Sequence, residues 1–93
     1  MIEVQLNSGP KKLIVAFTDN VLEYFSLMST EGSARYHAGH FKSIEITTDK
    51  KGAHTLEVKL ETRTLASEVS EGALPKVQEL VAVVQKAMKS LAL

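Results

Sequence analysis

Three histidines, several serines and no cysteine are the residues from which chemistry could be read in this chain. His37 and His40 stand three positions apart and raise the question of a metal pair. On a strand, an odd spacing sends them to opposite faces, about 10 Å apart at ~3.3 Å rise per residue. Two imidazoles so placed cannot share a tetrahedral ion, so no metal is expected. His54 stands alone behind the Lys51-Gly52 turn. The lack of cysteine excludes disulfides, thiolate zinc sites and cysteine nucleophiles. No serine sits in a Gly-x-Ser-x-Gly elbow. The glycines at 9, 32, 39, 52 and 72 are too dispersed to form a phosphate-cradling loop. No catalytic group emerges, so neither an enzyme nor a cofactor is expected.

Charge narrows the partners further. Eleven Lys and Arg balance eleven Asp and Glu, whereas gripping nucleic acid or an anionic membrane by bulk charge needs a basic excess. No nucleic-acid partner is expected, although a local basic patch is compatible with the balance. Lys11-Lys12 and Lys50-Lys51 are the two basic doublets. Lysines at hairpin tips also serve to guard strand edges against aggregation.

The 93 residues suit one domain, 44% hydrophobic and 24% charged, close to ordinary globular usage. The opening Met-Ile-Glu-Val-Gln-Leu has neither a basic nor an apolar leader region. The longest apolar run, Leu13 to Phe17, is five residues, far short of the ~18–20 needed to cross a bilayer. The cytoplasm is the expected compartment.

The elements that must position any site read with period two over roughly residues 1–70 and with period 3.6 thereafter. Ile2, Val4 and Leu6 alternate with Glu3, Gln5 and Asn7, the pattern of a half-buried strand. Gly9-Pro10 breaks that run. Lys12 to Thr18 is nearly continuous in apolar residues, and Val21 to Met28 is rich in Leu, Tyr and Phe. Asp19-Asn20 between them tolerates positive φ and predicts a tight hairpin. Ser29 to Ser33 reads as a loop and Ala34 to Phe41 as a further strand, with Gly39 suggesting a bulge. Ser43–Thr48 and Thr55–Glu61 alternate cleanly across an Asp49-Lys50-Lys51-Gly52 turn. Leu65, Ser67 and Val69 continue the inward set with a parity change that demands a turn near Thr62-Arg63.

The final segment, roughly 73–92, predicts one amphipathic helix. At ~100° per residue, Val77, Leu80, Val81, Val84, Met88 and Leu91 fall within about a 100° arc. Ser70 is a candidate N-cap, and Pro75 fits only in the first turn, so regular helix begins between Ala73 and Pro75. Seven strands joined by short turns pair antiparallel with their neighbours. A sheet of that length in so small a chain must fold over to cover its apolar face. The expected fold is therefore mainly β: a seven-stranded antiparallel orthogonal sandwich or partly open barrel, capped by one C-terminal α-helix.

That order of elements resembles the pleckstrin-homology (PH) superfold. The run from Lys11 through Thr18-Asp19-Asn20 into Leu22-Glu23-Tyr24-Phe25 looks like the second and third strands of such a domain. His40-Phe41-Lys42-Ser43-Ile44-Glu45-Ile46 is similar to the strand entry of short bacterial PH-like domains. The resemblance implies ligand loops near Gly9–Lys12, Ser29–Arg35 and Thr62–Arg63, where Lys11, Lys12, Arg35 and Arg63 would converge as a modest anion site. The chain departs from the family at Leu13, which stands where phosphoinositide-binding members place an arginine. The guanidinium fork for bidentate phosphate recognition is thereby absent from that position. The chain also lacks the tryptophan of the eukaryotic terminal helix.

Both parities of Leu13–Phe17 and Val21–Met28 are apolar, with Ile14, Ala16, Leu22, Tyr24 and Met28 on a second face. A lone sandwich exposes that face to water and should make it polar, so the surplus suggests cover by a partner or by a second copy; scattered surface apolar residues are the alternative. Val83, on the solvent side of the helix, is a smaller hint of the same kind. The function expected is a non-catalytic PH-like module for protein–protein or homo-oligomeric interaction. Weak anionic-lipid binding is the second reading.

Overall fold

A computed structural model describes residues 2–8, 11–26 and 33–91. Seven strands run in the order β1 (Ile2–Ser8), β2 (Lys11–Thr18), β3 (Val21–Ser26), β4 (Ser33–His37), β5 (Phe41–Thr48), β6 (His54–Leu60) and β7 (Thr64–Val69), and helix α1 (Leu74–Leu91) closes the chain. A 3₁₀ turn, Ala38–His40, links β4 to β5. Antiparallel neighbours follow one continuous order, β4-β3-β2-β1-β7-β6-β5, which divides into a four-stranded sheet, β4-β3-β2-β1, and a three-stranded sheet, β7-β6-β5. The two meet through a single described residue pair, Asn7 with Glu68. The result is a sandwich of two sheets with a helix across it, not a closed barrel, as the alternation of residues predicts.

Turn chemistry fixes the registers. Asp19 and Asn20 adopt φ of 51° and 66°, the paired positive values of a type I′ turn whose twist matches the strands it joins. That two-residue loop pairs Thr18 with Val21 and Phe17 with Leu22. At the β5–β6 turn, Asp49 Oδ1 accepts from the amides of Lys51 and Ala53, both at 2.9 Å, while Gly52 takes φ of 84°. The β6–β7 turn lacks Gly, Asn and Asp, and closes through the Leu60 amide donating to the Arg63 carbonyl at 2.8 Å. It delivers the required parity: Val58 lies opposite Leu65, and Leu56 opposite Ser67.

Between the sheets, Leu6, Val15, Leu22, Ile44, Leu56 and Val58 are almost wholly withdrawn from water. Helix α1 adds Val77, Leu80 and Val84, each fully buried, with Val81 and Met88 half-buried against them. Leu91 departs from the expected stripe. It is 41% exposed, because the last turn runs past the core. Before the helix, the Ala73 amide donates to the Ser70 carbonyl at 3.1 Å, so Ser70 turns the chain through its backbone. Gln85 Nε2 donates to the Ile44 carbonyl at 2.9 Å and ties the helix to edge strand β5.

Two expectations about the middle of the chain change. The strand read over Ala34–Phe41 ends at His37, and Phe41 opens β5 after the 3₁₀ turn. The irregularity falls at Lys42, where the β5–β6 register shifts between Phe41 and Ser43, rather than at Gly39.

Candidate interaction surface

Pairing across the four-stranded sheet sorts its side chains unambiguously. Ile2, Phe17, Leu22 and Tyr36 form one cross-strand row, and Val4, Val15, Tyr24 and Ala34 the next. Both rows face the core. The opposite face carries Gln5, Ile14 and Phe25 in one row and Glu3, Ala16, Glu23 and Arg35 in another, with Thr18, Val21 and His37 beyond. Of the four residues expected at an interface, Ile14 and Ala16 therefore lie on the outer face, and Leu22 and Tyr24 do not. Leu22 is fully buried, and Tyr24 packs against the core with its ring 6.1 Å from Tyr36, edge to face. The cause is the two-residue turn, which sets β3 out of step with the simple parity of β2. Met28 lies outside the described residues.

The residues that complete the outer face are Val21, half-buried, and Phe25, 37% exposed. Ala16 is buried at the floor of a depression lined in part by Glu3, Glu23, Phe25 and Arg35. The other sheet supplies an internal control. Its outer face presents Ser43, Glu45, Thr47, Thr55, Glu57 and Lys59, with no large apolar side chain. Glu45 and Glu57 stand directly opposite, an unfavourable pair on its own. Lys59 Nζ approaches Glu45 at 4.0 Å, and the Thr47 hydroxyl donates to Glu57 at 3.3 Å. One outer face is thus polar, and the other carries an apolar group, Ile14, Val21 and Phe25, among polar and charged neighbours such as Glu3, Lys12 and Arg35.

The basic residues do not gather as the resemblance implies. The β1–β2 ends and the facing ends of β3 and β4 lie together, since Ser8 pairs with Lys11 and Phe25 with Ser33; the β6–β7 turn lies further out, because β7 meets β1 near its own last residues, Glu68 opposite Asn7. The Lys11 side chain lies outside the described residues. Lys12 and Arg63 are exposed. Arg35, however, stands within β4 rather than in a loop, two strands away from Lys12 and about 13 Å further along the sheet. Its Nε donates to Glu23 Oε2, which holds it on the sheet face and away from the loop cations.

The histidines also depart from expectation. The 3₁₀ turn folds His40 back, so the His37 and His40 rings lie 6.2 Å apart, edge to face, rather than on opposite faces of a strand. His37 Nδ1 accepts from the Gly39 amide at 3.0 Å. His54 sits between the Thr48 hydroxyl at 2.8 Å and the Glu71 carboxylate at 3.4 Å. Among the described residues no three His, Asp or Glu side chains cluster as metal ligands would.

Two further features went unread in the sequence. A groove of about 500 Å³ runs between edge strand β5 and the last turns of α1, lined by Ala38, Phe41, Ile44, Met88 and Leu91 among others. The Tyr24 hydroxyl is shut off from solvent and has no hydrogen-bond partner among the described residues. Burial, with Tyr36 adding to it, pushes that hydroxyl well above its ordinary pKa. Among the described residues, no helix is long and apolar enough to cross a membrane.

No family model matches this chain, and neither a curated protein nor a solved structure does.

Proposed function

We propose that this chain is a non-catalytic, PH-like interaction module, and that its working surface is the outer face of the β4-β3-β2-β1 sheet. One observation carries the reading: the apolar group Ile14, Ala16, Val21 and Phe25 sits on a face whose counterpart on the second sheet is polar throughout its described β5–β6 surface. Exposed single apolar residues are ordinary, whereas a contiguous set on one sheet marks a contact surface. The order of seven strands and a C-terminal helix supports the PH-like part of the reading.

Anionic-lipid binding is the weaker reading. Lys12 and Arg63 remain exposed, but Arg35 is engaged by Glu23, which takes the guanidinium away from the set.

The test places a photoreactive benzophenone side chain at position 25 and, in a second protein, at position 57 on the polar face. Irradiation among the proteins of a cell extract is expected to give discrete protein adducts from position 25 only. Equal labelling at both positions removes the reading. In parallel, Ile14→Thr/Phe25→Thr is expected to change folding stability by no more than about 0.5 kcal/mol, as surface substitutions do. A loss above about 2 kcal/mol would assign these side chains to the core instead.

A further inference from the structure

We propose that the occupant of this face is a second copy of the same chain, packed sheet to sheet about a two-fold axis that runs along the strands between β2 and β3. The proposal rests on reading the outer face as a contact surface, and it adds the partner, the symmetry and the charge pair that selects both.

The row Glu3–Ala16–Glu23–Arg35 crosses all four strands. Its two ends carry opposite charge: Glu3 on β1 is exposed and has no ion-pair partner among the described residues, while the Arg35 side chain on β4 is 72% exposed. Rotation about an axis parallel to the strands keeps position along the strand and reverses the strand order. β1 of one copy then lies over β4 of the other, and β2 over β3. Glu3 meets Arg35 of the second copy, and by the same operation Arg35 meets its Glu3. Such reciprocal contact is the mark of a two-fold interface.

Rotation about the perpendicular in-plane axis through that row would place each strand over its own copy, setting Glu3 against Glu3 and Arg35 against Arg35. Like charges facing one another in an interface disfavour that arrangement. The charge order across the sheet therefore distinguishes the two arrangements.

The apolar contact agrees with charge along the same axis: in the row Gln5–Ile14–Phe25, Ile14 falls opposite Phe25 of the second copy. Arg35, with donors remaining beyond the Nε bonded to Glu23, then stands between its own Glu23 and the second copy's Glu3. Stacked sheets keep their strands within about 30° of each other, so these central rows stay in register.

Four strands ~4.8 Å apart and about six residues long give a footprint near 20 by 20 Å. That lies at the small end of specific interfaces, where association is weak. A concentration-dependent monomer–dimer equilibrium is expected rather than a permanent dimer.

A charge exchange followed by sedimentation velocity tests this. Glu3→Arg and Arg35→Glu are each expected to weaken self-association by roughly tenfold or more, because each sets like charges together across the axis. Mixed in equal amounts, with one of them fluorescently labelled, the two variants are expected to form a heterodimer about as tight as the wild-type dimer. In that heterodimer both facing pairs of positions 3 and 35 again hold one positive and one negative side chain. Rescue on mixing also separates a true contact from damage to either fold. A wild-type protein that stays monomeric at about 1 mM overturns the proposal, as does a mixture that associates no better than its components. If the wild type is monomeric while position 25 still cross-links to another protein, the second copy is excluded and the contact surface stands. If position 25 labels no more than position 57, both fall.

Discussion

Tyr24 carries a hydroxyl that the fold encloses without a described partner, and that single group predicts two measurements. An enclosed, unpaired polar atom costs about 1–3 kcal/mol. Tyr24→Phe is therefore expected to raise stability by about 1 kcal/mol at neutral pH, read as a higher urea midpoint with an unchanged m-value; a lowered midpoint would mean that the hydroxyl has a partner. The second measurement follows from proton linkage. The folded-state pKa lies above the unfolded value of about 10, so the hydroxyl's contribution is constant below pH 10. As pH rises past 10, the unfolded chain loses the proton first. Stability then falls by up to about 1.4 kcal/mol per pH unit. Lysines titrate in the same range, so the informative quantity is the difference between wild type and Tyr24→Phe. That difference is expected to widen above pH 10 in favour of the variant, and a difference that stays flat would place the hydroxyl in water.

At the scale of elements, the helix and the turns make opposite demands on their residues. Leu80 is fully buried beneath α1, whereas Leu91, at the last turn, is 41% exposed. Leu80→Ala is expected to cost about 2–5 kcal/mol, and Leu91→Ala less than about 1 kcal/mol, both by thermal or urea unfolding. Equal costs would show that the helix does not seat as described. Gly52 has open space around it but a φ of 84°, so Gly52→Ala tests backbone strain alone, with an expected loss of about 1 kcal/mol.

These same elements show what could be read in advance. Strand alternation, the Asp49–Gly52 turn and the 3.6-residue period of α1 are local patterns, and the fold follows them. The type I′ turn at Asp19-Asn20 was also legible, and applied strictly it pairs Phe17 with Leu22 and sends Leu22 inward. Treating the parity of β3 as independent of that turn is what misplaced Leu22 and Tyr24. The Glu23–Arg35 pair is different in kind. It depends on the β3–β4 register, set across a long connection with no turn signature that fixes pairing. The folding back of His40 likewise depends on Ala38 being drawn into the core, a tertiary event with no periodic signal.

On the scale of the whole molecule, the two readings of function differ in how they respond to salt. With Arg35 held by Glu23, the members of the anion set that the structure leaves exposed are Lys12 and Arg63. At about 1 kcal/mol per charge near an anionic surface, two would amount to roughly 2 kcal/mol, about a thirtyfold enrichment on the membrane. That attraction is confined to a Debye length of ~8 Å at physiological ionic strength, and the neutral net charge of the chain gives no long-range field to add to it. Co-sedimentation with phosphatidylserine-containing vesicles is therefore expected to show weak binding at low salt that disappears near 0.15 M. Arg63→Ala should weaken the low-salt component while leaving self-association unchanged, because Arg63 lies in the β6–β7 turn, off the four-stranded sheet. Binding that persists at 0.15 M salt and is lost in this variant would make the loop end, rather than the sheet, the functional surface. Self-association should respond less: the Ile14–Phe25 contact is apolar and insensitive to screening, so salt should weaken the dimer only through the Glu3–Arg35 pair, by a modest factor rather than to completion.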